Sequence, residues 1–170
     1  YYTNMPASVV IGQPDFTSGS VNQGGSPRAN TLKYPQSLAV CDRKLIVSDG
    51  ANSRVLIFNS IPTFNNASAD VVIEQPDFTS NLGNQGGISA KSLSSPSTLL
   101  CVGKKLLITD VGNQRVLVFN SIPTTNNASA DVVIGQPDFT SSSRNQGGTC
   151  KANTVNLTSN GPGIAYDGRR

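Results

Sequence analysis

The sequence predicts an all-β fold, a β-propeller of four-stranded antiparallel blades, and three observations carry that prediction. VVI recurs at Val9, Val71 and Val132, offsets of 62 and 61 residues, inside the near copies ASVVIGQPDFTS, ADVVIEQPDFTS and ADVVIGQPDFTS. NQGG follows each copy, at Asn22, Asn84 and Asn145, with the same offsets. Between these landmarks lie short apolar runs broken by turn-forming residues, and none has the i, i+3, i+4, i+7 recurrence of a helix. Self-similarity at a fixed period marks an array of like units that cover one another's faces. A β-sandwich has no need of near-identical sheets at one period.

Each full unit supplies four strands, a to d. In the first, SLAVC at 37–41 is strand a, and Asp42-Arg43 turns the chain into strand b, LIVSD at 45–49. The polar loop 50–53 leads to strand c, VLIFN at 55–59, and after Ile61-Pro62 comes strand d, DVVIE at 70–74. The second unit repeats this without gaps from 90 to 131, with RVLVFNSIPT matching RVLIFNSIPT. The phase divides the chain into 1–36, a d strand of a preceding blade plus a long connection; 37–97 and 98–161, two full blades with their connections; and 162–170, the a strand of a following blade at 164–167. That is about two and a half blades, whereas a ring needs roughly four to eight. The expectation is a segment of a longer propeller, or a protomer whose sheets are completed by other copies.

Composition narrows the partners. A net charge of +3, with only 14% charged residues, gives no basic surface for nucleic acid or an anionic membrane. No apolar run is long enough for a spanning helix. The three cysteines, Cys41, Cys101 and Cys150, do not share one repeat position, since 61 residues past Cys41 lies Val102, and a disulfide framework is not expected. No histidine is present, which excludes Ser-His-Asp and Cys-His catalysis and any His-based zinc site within this chain. No catalytic residue, metal ligand or cofactor is assigned.

Pro35 followed by SLAV, then LIVSDGANSRVLIFN at 45–59 and LLITDVGNQRVLVFN at 106–120, resemble the NHL repeat: an apolar strand ending in Asp, two residues, Asn, one residue, Arg and a second apolar strand. The GQPDF and NQGG segments are similar to a bacterial variety with long connections between blades. The resemblance covers nearly the whole chain. It implies a propeller, typically six-bladed, that serves as a platform for proteins, peptides, small ligands or single-stranded RNA, while some relatives are enzymes such as peptide-amidating lyases. Fold alone does not choose among these.

The repeated Asp, Asn and Arg are the candidate site: Asp49, Asn52, Arg54 and Asp110, Asn113, Arg115. As ligand-binding groups they would suit a carboxylate or phosphate. As structural groups, Asp and Asn would bond the b-to-c loop backbone while Arg lies across a neighbouring loop. Recurrence in every full unit favours the structural role. GQPDF and NQGG are expected to be turn chemistry, with Phe16, Phe78 and Phe139 as apolar plugs; Glu74 in place of glycine implies that positive φ is not obligatory at that position. No helix follows to make a phosphate cradle.

Alternating connections in an antiparallel blade bring the b-to-c loops and the long d-to-a connections to one face. The other face receives Arg43-Lys44, Lys104-Lys105 and Arg169-Arg170, expected to be solvated turn charges. The functional expectation is a non-enzymatic binding module for a protein, peptide or small ligand, acting through the first face. The alternative is a fragment of an enzymatic propeller, lyase or hydrolase, whose catalytic or metal-binding groups lie in other blades. The Ser-, Thr- and Asn-rich surface points toward an extracellular or bacterial envelope location.

Overall fold

The computed structural model describes residues 3–158 and 163–165. Two four-stranded antiparallel sheets form in chain order, so the fold is all-β. Sheet 1 contains β1 (Ser37–Cys41), β2 (Lys44–Asp49), β3 (Arg54–Phe58) and β4 (Val71–Ile73); sheet 2 contains β5 (Pro96–Val102), β6 (Lys105–Asp110), β7 (Arg115–Phe119) and β8 (Val132–Ile134).

The turns explain the strand ends. Asp42 and Arg43 both take positive φ, 47° and 63°, the geometry of a two-residue hairpin that matches strand twist. Strand d is one residue shorter than expected at each end: the Asp70 carboxylate accepts the Asn59 N–H at 2.7 Å, as Asp131 does for Asn120, and Glu74 turns the chain away with φ 85°. The expected strand at 9–11 is not laddered, since no strand among the described residues lies beside it. It keeps the sideways bonds of its copies nonetheless. The Val10 N–H donates to the Asn65 side chain and the Val10 carbonyl accepts the Asn66 N–H, as Val72 does with Asn126 and Asn127. Of the expected strand at 164–167, residues 166 and 167 lie outside the described residues, as do Arg169 and Arg170.

Alternation across each strand gives each sheet two apolar faces. The front of sheet 1, with Ile46, Ile57, Val71 and Ile73, packs on the rear of sheet 2, with Leu99, Leu106, Ile108, Leu117 and Phe119. Ser48 Oγ pins the two sheets by donating to the Pro96 carbonyl at 2.9 Å. The rear of sheet 1, with Leu45, Val47, Leu56, Phe58 and Val72, is covered on its outer side by Ile11, Leu32 and Phe78. The buried side chains therefore belong to contacts between units as much as to any single sheet.

Cys41 and Cys101 form a disulfide between β1 and β5, with Cα atoms 6.0 Å apart. This corrects the expectation drawn from their unequal repeat positions. Because front packs on rear, the interface brings position 41 of one unit against the residue before its equivalent in the next. Cys150 is free and exposed.

Candidate functional site

β2 ends at Asp49, a single 3-10 turn spans Gly50–Asn52, Ser53 takes φ 51°, and β3 begins at Arg54. This tight turn makes Asp49 and Arg54 directly opposed partners across the β2–β3 ladder. Their side chains meet, Arg54 Nε to Asp49 Oδ2, at 2.8 Å. Asn52 Nδ2 donates to the same oxygen at 2.8 Å, and Asp49 Oδ1 accepts the Lys33 N–H at 2.7 Å. The backbone donor to Asp49 thus comes from the preceding connection, whereas sequence reasoning expected the loop's own backbone.

The Arg54 guanidinium joins two consecutive connections. Its Nη2 donates to the carbonyls of Arg28 and Thr31, both at 2.9 Å, and its Nη1 donates to the Phe78 carbonyl. Asn52 completes the arrangement by a reciprocal amide pair with Asn22, at 3.2 and 2.9 Å. The second unit repeats every part: Arg115 Nε to Asp110 Oδ2 at 2.8 Å, Asn113 to Asp110 at 2.8 Å, the Ser94 N–H to Asp110 at 2.7 Å, Asn113 paired with Asn84, and Arg115 donating to Ser89, Ser92 and Phe139 carbonyls. Burial pushes the Asp110 carboxyl up, against the pull of Arg115, the Ser94 N–H and Asn113.

All six candidate residues are buried, Asp49, Asn52, Arg54, Asp110 and Arg115 at 0% exposure and Asn113 at 1%. Their polar groups face protein partners and not a cavity. Sequence reasoning missed Asn22 and Asn84 as members of these clusters. The signal available was NQGG itself, which keeps the same offsets as the Asp-x-x-Asn-x-Arg element.

Glu74 gives a second correction. Gly12, Glu74 and Gly135 all take positive φ, 85°, 85° and 92°, so the left-handed conformation is required in every copy. For a side-chain-bearing residue this costs about 1–2 kcal/mol. The Glu74 carboxyl offsets it by accepting the Gln85 N–H at 3.1 Å and the Leu93 N–H. The residue is only 2% exposed, and burial pushes its pKa up to about 8.

Asp15, Asp77 and Asp138 shape the start of the connections. Each accepts from the hydroxyl and N–H of the Thr two residues on and from the following Ser N–H. These bonds, the Thr hydroxyl foremost, hold Asp15 and Asp77 down to about 2 and depress Asp138. Phe78 and Phe139 pack against the apolar clusters as expected of plugs, but Phe16 is 55% exposed and does not.

The clusters draw the turns between β2 and β3 and between β6 and β7 onto the same end of the sheets as the long connections. There a cavity of about 270 Å³ opens between the units, lined by Tyr34, Gln36, Ala51, Ser95, Ser97 and Val111 among others. Tyr34 and Ser95 occupy equivalent positions and both take positive φ, 48° and 52°. Tyr34 stands 64% exposed, so an aromatic ring breaks the repeat symmetry at the cavity mouth. Among the described residues no group of three or more His, Cys, Asp or Glu could hold a metal ion, and no helix is long and apolar enough to cross a membrane. Arg43-Lys44 and Lys104-Lys105 lie at the opposite end, beside the β1–β2 and β5–β6 turns. No protein-family model matches the chain, and no curated protein is significantly similar to it.

Proposed function

We propose that the chain is a segment of an NHL-type β-propeller whose sheets are blades, and that it binds a protein or peptide through the end carrying the β2–β3 and β6–β7 turns and the long connections. The observation that supports this most is the division of labour at that end. Buried Asp–Asn–Arg clusters fix the loop backbones from beneath, while a neutral cavity with an exposed tyrosine sits above them. Loops held on a rigid scaffold are where recognition concentrates, and tyrosine offers contact area and a hydroxyl at small entropy cost. A neutral, mixed lining suits a peptide better than a phosphate or a polyanion. The Cys41–Cys101 disulfide supports an oxidising compartment, the cell envelope or the exterior.

The test is selection of peptides from a displayed library on the immobilised protein. Binders are expected to lose affinity at least tenfold on Tyr34→Ala or Ala51→Arg, with melting temperature unchanged. Peptides that bind both variants as well as the parent would show that recognition lies elsewhere.

A further inference from the structure

The second of the three long connections is fastened differently from the other two, and the difference is a buried carboxyl. In the first and third, the glutamine of NQGG donates to the carbonyl of the positive-φ glycine and to one farther on: Gln23 to Gly12 at 3.3 Å and Asn30 at 3.0 Å, Gln146 to Gly135 at 3.5 Å and Asn153 at 3.0 Å. The side chains of Leu32 and Val155 stand where a Cβ on those glycines would go, within 2.7 and 2.3 Å of it. In the second connection Glu74 occupies that corner. Its two carboxyl oxygens take the N–H groups of Gln85 and Leu93.

A second carboxylate lies beside it. Glu74 Oε2 accepts the Leu93 N–H, and Asp110 Oδ1 accepts the next N–H along the chain, that of Ser94. Both acids are buried, and the charged groups that face Glu74 from the strands packed against it are Asp110 of β6 and Arg115 of β7. Arg115 is already committed to Asp110 through Nε at 2.8 Å. The cluster is therefore neutral only while Glu74 keeps its proton, since two carboxylates sharing one site do not both ionise at their ordinary pKa. In the first unit the matching position is Gly12, so the Asp49–Arg54 pair carries no such third group.

The backbone that Glu74 holds continues into one wall of the cavity. Leu93 and Ser94 lead directly to Ser95, Pro96 and Ser97, which line it with Tyr34 and Ala51. The Ser94 carbonyl accepts the Gly112 N–H at 2.8 Å, tying this wall to the turn that bears Val111. Carboxyl, wall and cavity all lie where the two sheets meet, so each is formed by residues on both sides of that junction.

We infer that Glu74 is a proton-operated latch on the recognition site: protonated, it holds residues 93–97 in the binding geometry, and on losing its proton it releases them. The latch rests on the reading of this cavity as the place where peptides bind. Burial is the main force against the charged form, and the Asp110 charge adds to it, opposing the two N–H bonds and Arg115. A carboxylate formed there is drawn out toward water, because an uncompensated buried charge costs more than its hydrogen bonds return. The protonated form is the one that the fold favours, so the latch is closed at low pH and opens as pH rises through about 8.

The test uses end-capped peptides without ionisable side chains, selected on the parent at pH 6.5. Their affinity for the parent should fall about tenfold by pH 9, where roughly one protein in ten keeps the proton, while circular dichroism shows the fold intact. Glu74→Gln, and Glu74→Gly with the residue of the other two copies, should bind equally at both pH values. Amide exchange followed by NMR, corrected for its intrinsic pH dependence, should show Leu93 losing protection over the same interval in the parent and keeping it in Glu74→Gln. Equal affinity of the parent at both pH values overturns the latch and leaves the peptide reading standing. A library that yields no binder at either pH sinks that reading and the latch with it. Leu93 protection that does not move with pH overturns the latch whatever the peptides do.

Discussion

Asp110 and Arg115 face each other across adjacent strands at 2.8 Å with no exposure of either side chain, and the same guanidinium reaches carbonyls in the connections on both sides of its sheet. The pair is thus a clasp between consecutive connections. Its stability follows from the complete set of partners around it, because a buried ion pair on its own does little more than offset its desolvation.

Arg115→Ala should therefore be costly. It leaves the Asp110 carboxylate buried beside an empty space and frees three carbonyls, and the expected loss is about 3–5 kcal/mol. Urea denaturation checks this. A loss below about 1 kcal/mol would mean that the clasp is not structural.

Glu74 should make stability depend on pH in a direction opposite to that of the exposed aspartates. Its folded pKa, about 8, lies above its ordinary value of 4.5, so the protonated form is the one that the fold favours. Its contribution is fully present below pH 4.5 and is lost as pH rises through 8. Glu74→Gln removes the titration. Melting temperatures of parent and variant should diverge as pH rises across that interval, the variant becoming the more stable; parallel curves would contradict the assignment.

The Cys41–Cys101 bond closes a loop of 60 residues between two sheets. Replacing both cysteines by serine in a Cys150→Ser background should lower stability by about 2–4 kcal/mol. Thermal denaturation with and without reductant gives an independent reading, since reductant should move the parent and leave the variant unmoved.

Much of the architecture was legible because it lies in local pattern. Apolar runs such as VLIF, the Asp42-Arg43 turn and the offsets of VVI locate strands and turns without reference to anything distant. The clusters were only half legible. The spacing of Asp49, Asn52 and Arg54 reflects one tight turn and can be seen in the chain, but Asn22 lies 30 residues from its amide partner Asn52. Glu74 misled for a related reason. A non-glycine residue suggested relaxed backbone, whereas its carboxyl compensates for the strain through the distant Leu93 N–H.

The sequence by itself determined the period, the four strands per unit, their antiparallel order and the end of the sheets to which the turns and connections go. These follow from alternation and turn chemistry, which act over a few residues. Tertiary structure alone decided that Arg54 and Arg115 point inward to carbonyls of two connections and that Cys41 meets Cys101. Those outcomes depend on the front of one sheet packing against the rear of the next, and that contact joins residues about one repeat apart whose pairing no local pattern encodes.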